Sequence, residues 1–131
     1  MYKHILVPVD LDAADVSDKA ITEARALARQ HDARVTVLSV IPAWPNDLAH
    51  GPSEYQPRLD AYVREQAHGV EMTGEVKIGG AVSARIIEAA VDEDVDLVVM
   101  VSHDPRMSDY LIGSNAAHVT LHVPCSVMII R

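Results

Sequence analysis

The chain has 131 residues, 49% of them hydrophobic, and a formal net charge of −8, which together predict one globular domain over residues 1–131. Because no basic cluster interrupts the acidic background, the sequence disfavours nucleic acid as a partner. No apolar run approaches the roughly 18 residues of a membrane span, and the single cysteine excludes an internal disulfide, so we expect a cytoplasmic protein with no membrane contact.

In chain order, apolar runs typical of strands alternate with segments of helical periodicity. The predicted strands cover residues 5–9, 35–41, 71–78, 94–101 and 126–130, and the predicted helices cover residues 15–31, 59–66, 83–92 and a segment that begins at Gly113. Such alternation is typical of βαβ units with right-handed crossovers. It predicts an α/β fold in which a five-stranded parallel sheet carries helices on both faces.

Residues 42–57 predict a long irregular loop, because they hold four of the seven prolines together with Gly51 and the lone Trp44. The loop follows the carboxyl end of the second strand, where open α/β sheets bind ligands. We therefore interpret it as a lid or a partner contact.

Gly113, Ser114 and Asn115 open the last predicted helix after the fourth strand and its loop. The first backbone N–H groups of a helix have no partner within it, and they lie at the positive end of its dipole. This arrangement suits a phosphate group.

Taken in this order, the chain resembles the universal stress protein family over nearly its whole length. The resemblance rests on residues 5–10 with their Pro-x-Asp end, and on residues 37–41, 94–100, 102–103, 113–114 and 124–130. It implies a Rossmann-like sheet, similar to that of the adenine nucleotide alpha hydrolases, with strand order 3-2-1-4-5. It also implies ATP as the ligand, with or without Mg²⁺.

The phosphate loop departs from the family pattern. Nucleotide-binding members carry Gly-x-x-G after the fourth strand, where this chain has Val101 and Asp104, whereas the later Gly-Ser pair is intact as Gly113 and Ser114. Glycine lets the backbone approach a phosphate closely. The Ser-His-x-Pro form that begins at Ser102 nevertheless resembles a bacterial subgroup in which nucleotide binding is expected.

Carried over position by position, the resemblance implies a nucleotide site. Around the adenosine, ribose and phosphates it places Pro8, Val9, Asp10, Val40, Met100, Val101, Ser102, His103, Arg106, Gly113, Ser114 and Asn115. Other interpretations stay open: Asp10 as a cap of the turn into the first helix, Ser114 as a helix N-cap, and His103 as a residue that stabilises its loop.

Other reactive residues give weaker patterns. His118 and His122 share a helix face and could bind Zn²⁺, but no third ligand has matching spacing, so we predict no metal site. We expect Cys125 to be a small buried residue rather than a nucleophile. No spacing indicates a Ser-His-Asp or paired-carboxylate arrangement, so we predict no catalytic residue.

The closing strand, Ser126–Ile130, is expected at a sheet edge, where an apolar strand favours pairing with a second copy of the chain. Family members dimerise through this strand.

The sequence thus favours a homodimeric, non-catalytic ATP-binding regulatory module with an unidentified protein partner. Two alternatives are a stress protein that works through protein contacts without nucleotide, and a slow ATPase; a phospho-receiver fits less well, because the only lysines are Lys3, Lys19 and Lys77.

Overall fold

A computed structural model describes residues 1–41, 52–102 and 113–131. The described elements are β1 (His4–Pro8), a 3-10 turn (Leu11–Ala13), α1 (Ala14–His31), β2 (Arg34–Ile41), α2 (Pro52–Ala67), β3 (Met72–Ile78), α3 (Val82–Asp92), β4 (Leu97–Val101), α4 (Ser114–His122) and β5 (Ser126–Ile130).

In the described residues five strands form one parallel sheet in the order β3-β2-β1-β4-β5, which confirms the predicted fold class and strand order. β1 lies at the centre, where Val7 pairs with Val37 of β2 and Ile5 pairs with Leu97 of β4. Strand order reverses between β1 and β4, and open α/β sheets bind ligands beside the carboxyl ends of strands at such a point.

Both faces of the sheet are buried, which explains the continuous apolar runs of its strands. One face packs against α1 and α2 through a core that includes Ile5, Val7, Val35, Val37, Val99, Ala20, Ala24, Ala28 and Leu59. The opposite face packs against α3 and α4 through Leu6, Leu38, Val98, Met100, Ile86, Ala89, Ala116 and Val119. The alanine stripe of α1 lets that helix lie close to the strands.

The second helix corrects the predicted loop of residues 42–57. α2 begins at Pro52 and contains Pro57, whereas residues 42–51 lie outside the described part of the chain. Proline suits the first position of a helix, whereas Pro57, the sixth residue of α2, removes an intrahelical hydrogen bond. Packing stabilises the helix: Leu59 is fully buried, and a Cβ at Gly74 of β3 would lie 2.8 Å from its Cγ. Only glycine therefore fits this contact without a shift.

The amino end of the sheet is fixed by a buried histidine and an aspartate. The ring of His4 contacts the Thr36 hydroxyl at 2.7 Å and the Glu93 carbonyl at 3.0 Å. The carboxylate of Asp96 accepts the backbone N–H of Lys3 at 2.9 Å. These contacts explain why β4 begins at Leu97 rather than at the predicted residue 94: the preceding residues end α3 and hold the start of β1.

Arginines of α1 secure the end of α2. Arg25 donates to the Gln66 carbonyl at 2.7 Å, and Arg29 donates to the His68 carbonyl at 2.6 Å. Cations at a helix C-terminus satisfy its last carbonyls and oppose its dipole. None of the helices in the described ranges combines the length and apolarity needed to cross a membrane.

The stability of this fold should depend on the protonation of Glu93, the residue after α3. Its pKa is raised from 4.5 to about 7, chiefly by burial and then by the hydrogen-bonded Glu75 carboxyl of β3, against smaller opposing effects of Lys77 and Arg34. The folded state therefore binds the Glu93 proton more tightly than the unfolded state does. This protonation contributes to the free energy of unfolding fully below the ordinary pKa of 4.5, and the contribution is lost as the pH rises through about 7. Urea unfolding should show a smaller stability difference between about pH 5 and about pH 8 in Glu93→Gln than in the parent chain. The exposed Glu23→Gln is the control, and identical profiles for the parent and Glu93→Gln would refute the assignment.

Candidate functional site

A cleft of about 720 Å³ lies at the carboxyl ends of β1, β2 and β4, beside the start of α4. Its volume is within the range of small-molecule sites, about 300–1,000 Å³. The cleft is lined by all ten predicted site residues within the described chain, namely Pro8, Val9, Asp10, Val40, Met100, Val101, Ser102, Gly113, Ser114 and Asn115. His103 and Arg106 lie outside the described residues.

Asp10 stands at the rim, directly after the central strand. The Val9 amide donates to the Leu38 carbonyl at 2.8 Å, so sheet hydrogen bonding continues up to this point. The Asp10 carboxylate accepts the Asp12 amide at 2.9 Å and caps the 3-10 turn, which confirms the capping interpretation. The Asp10 amide donates to the Ser17 hydroxyl at 3.3 Å. These bonds hold the exposed carboxylate at the edge of the cleft.

The opposite side of the cleft is formed where β4 meets α4. The Gly113 amide donates to the Ser102 carbonyl at 2.6 Å, so the chain leaves β4 and enters α4 at the same place. The Ser102 amide in turn donates to the Ile130 carbonyl of β5 at 2.9 Å. The start of α4 is therefore attached directly to the end of the sheet.

The interpretation of Ser114 as an N-cap is wrong. Gly113 occupies the N-cap and Ser114 is the first residue of the helix. Glycine has no side chain with which to accept the first backbone N–H groups, and Ser114 and Asn115 line the cleft. Those N–H groups are therefore suited to an anion in the cleft.

Sequence reasoning missed the apolar wall of the cleft. Leu38 and Ile41 come from β2, Val82 and Ile86 from the first turns of α3, and Tyr55 from α2. The i, i+4 spacing of Val82 and Ile86 was visible in the sequence, but their position beside the ends of the strands follows from the strand order. The apolar wall and the N–H groups of α4 give the cleft two chemically different parts.

The described rim is mainly acidic. Asp10 and Asp12 are the charged residues among the described lining residues. Arg58 of α2 lies 3.6 Å from the Asp12 carboxylate and 5.6 Å from the centre of the Tyr55 ring, so it partly offsets this charge. This ion pair joins the amino-terminal half of α2 to the 3-10 turn at the rim.

Cys125 lies outside the cleft and packs against the core beneath α3 and α4. Partial burial raises the pKa of its thiol, and the negative charge of Asp96 acts in the same direction. The thiol is thereby kept protonated, which disfavours a nucleophilic role.

Comparison with known proteins relates this chain to one family. The model of the universal stress protein family matches residues 1–131. Universal stress protein G of Salmonella typhimurium is 31% identical over 143 aligned positions that cover both chains completely.

Two solved structures share the fold and carry nucleotides. The universal stress protein from Archaeoglobus fulgidus in complex with dAMP has a TM-score of 0.76 and 22% identity, over 99% of this chain and 98% of that chain. A universal stress protein in complex with cAMP has a TM-score of 0.76 and 19% identity, over 99% and 97% of the two chains.

The cap at Asp10 can be separated from any binding role by two substitutions. Asp10→Ala removes the acceptor for the Asp12 amide and should lower the free energy of unfolding by about 1 kcal/mol, as loss of an N-cap does. Asp10→Asn keeps an acceptor oxygen and should cost only a small part of this. Urea denaturation measures both, with Asp92→Ala at the exposed end of α3 as the control. Equal stability of Asp10→Ala and the parent chain would contradict the capping role.

Proposed function

Because this chain belongs to the universal stress protein family, we propose that it is a non-catalytic module that binds ATP in its cleft and acts in a stress response. The observation that carries the proposal is that all ten predicted site residues within the described chain line the same cleft. The dAMP and cAMP bound by two structural neighbours support an adenine nucleotide as the ligand class. We further propose that residues 1–131 form one domain and that the protein is cytoplasmic.

The two parts of the cleft suggest how the nucleotide is oriented. The base lies against the apolar wall at Ile41 and Ile86, beside the predicted site residue Val40. The phosphates lie at the start of α4, where the backbone N–H groups and the helix dipole favour negative charge. The ribose then lies between these parts, near Asp10 at the end of β1.

The acidic rim makes Mg²⁺ important for a triphosphate. Asp10 and Asp12 line the cleft, and the whole chain carries a net charge of −8, so both local and overall charge oppose a polyanion. A divalent cation reduces that repulsion by neutralising phosphate charge. We therefore expect ATP to bind more tightly with Mg²⁺ than without it, and AMP to depend less on the cation.

Val101 supports a second candidate function. This residue lines the cleft at a position where nucleotide-binding members of the family carry glycine, and its side chain fills space that a glycine would leave open. The alternative is a stress protein that works through protein contacts alone. Hydrolysis of ATP has less support, since none of the described lining residues is a histidine or lysine that could serve as a general base or stabilise a leaving phosphate.

Calorimetry on nucleotide-free protein tests nucleotide binding, with Mg²⁺-ATP, ATP alone and AMP as ligands. Ser114→Asp places a carboxylate at the first position of α4, where it favours the helix dipole but repels phosphate. We expect the affinity for Mg²⁺-ATP to fall at least about tenfold, the equivalent of 1.4 kcal/mol, without loss of thermal stability. Ser114→Asn, similar in size but neutral, is the matched control. Absence of both heat and a thermal shift at millimolar ligand would exclude the nucleotide proposal in favour of the second candidate.

We also propose that two copies of the chain pair through β5. Its residues Ser126–Ile130 carry no charge, and Val127 to Ile130 are half-buried at one edge of the sheet. The opposite edge differs, because Glu75 and Lys77 place charges on β3, and Gln56 donates to the Gly74 carbonyl at 3.0 Å. The Glu71 carbonyl, just before β3, accepts the Val35 amide of β2. Because backbone carbonyls alternate in direction along a strand, the Gly74 carbonyl points away from β2, and Gln56 covers this outer edge. Charges and covering groups protect an edge from pairing.

A proline in β5 should separate pairing between copies from pairing within the sheet. The Ile130 carbonyl faces β4. Backbone groups of successive residues in a strand point to opposite sides, so those of Val127, three residues before Ile130, face outward. Val127→Pro removes an outward N–H but leaves the hydrogen bonds to β4, whereas Val127→Ala shortens the side chain and keeps the N–H. In analytical ultracentrifugation the parent chain and Val127→Ala should be dimers and Val127→Pro a monomer. A dimeric Val127→Pro, or a monomeric parent chain, would rule out this interface.

A further inference from the structure

His118 and His122 are exposed on α4 and are not among the described residues that line the cleft. They are four residues apart, so they occupy the same helix face, and both side chains are exposed. Their ring centres are 4.5 Å apart, with the ring planes at 83°. Two imidazoles this close can direct one nitrogen each towards a common point.

A serine of the neighbouring helix orients the first of these rings. The Ser83 hydroxyl of α3 lies 2.7 Å from His118 Nδ1. Ser83 itself is buried, with a relative exposure of 7%. When the hydroxyl accepts the proton on Nδ1, the lone pair is on Nε2 and is available to a ligand. Histidines that bind metals commonly donate their other N–H in this way, which fixes the ring and its tautomer.

We propose that His118 and His122 form a surface site for a divalent late transition metal ion such as Zn²⁺, Ni²⁺ or Cu²⁺, with His118 positioned by Ser83. Neutral imidazoles suit these ions, whereas Mg²⁺ and Ca²⁺ prefer oxygen ligands. Among the described residues, no group of three or more His, Cys, Asp or Glu side chains could hold a metal ion. The site therefore has two protein ligands, and water occupies the other coordination positions.

The sequence alone predicts no metal site because a third ligand is absent from the helix. Ser83 is 35 residues from His118 along the chain, and its contact depends on the packing of α3 against α4. The orienting hydroxyl is the feature that distinguishes this pair from two unrelated surface histidines. The proposal does not depend on nucleotide binding.

Titration of the chelator-treated full chain with Zn²⁺, with Ni²⁺ and, for comparison, with Mg²⁺, in the absence of nucleotide, tests the site by calorimetry. His118→Ala and His122→Ala should each lose one equivalent of binding, and Ser83→Ala should weaken it about tenfold, a typical cost of losing an outer-shell partner. His31→Ala is the matched control: His31 lies in the last turn of α1, on the opposite face of the sheet from α4, so its loss should leave the metal stoichiometry unchanged.

Circular dichroism verifies that each variant is folded, as expected for exposed positions on a helix. Retention of the full stoichiometry in His122→Ala, binding of Mg²⁺ with equal affinity at the same site, or no saturation below about 1 mM metal would overturn the proposal. An unchanged affinity in Ser83→Ala would overturn the orienting role of the serine.

Discussion

The candidate site depends on one hydrogen bond, from the Gly113 amide to the Ser102 carbonyl. Ser102 is itself bonded to β5, so its carbonyl has a fixed position at the end of the sheet. Because α4 begins at the next residue, Ser114, the start of the helix is aligned with the ends of β1 and β4. The dipole of α4 therefore acts on the cleft and not on the open solvent. The proposed binding of phosphates in the cleft rests largely on this junction.

Much of the fold and of the cleft could be predicted from the sequence, because the relevant residues stand at the ends of apolar runs. In a parallel sheet those ends share one edge, so Asp10, Val40 and Ser102 come together whatever the details of packing. The start of α2 could not be predicted in this way, because local sequence disfavours a helix that contains Pro57. Burial of Leu59 against Gly74 overrides that preference, and such a contact appears only when the helix is placed on the sheet.

The contacts that the sequence could not predict join residues distant along the chain. His4 bonds to Thr36 and to the carbonyl of Glu93, and Ser83 bonds to His118. Nothing in the local pattern around His4 distinguishes it from an exposed histidine, since only the strand register places Thr36 beside it. The predicted residues His103 and Arg106 lie outside the described ranges.

The unlike edges of the sheet bear on how large an assembly can become. Pairing through β5 would place two identical strands against each other and use up the apolar edge of both copies. The remaining outer strands of such a pair are the β3 strands, with Gln56 on the Gly74 carbonyl. A third copy would find no equivalent strand to join, so association through strand addition is self-limiting. In such a pair the side chain of Gln56 would protect the outer edge of each β3 strand from further strand pairing.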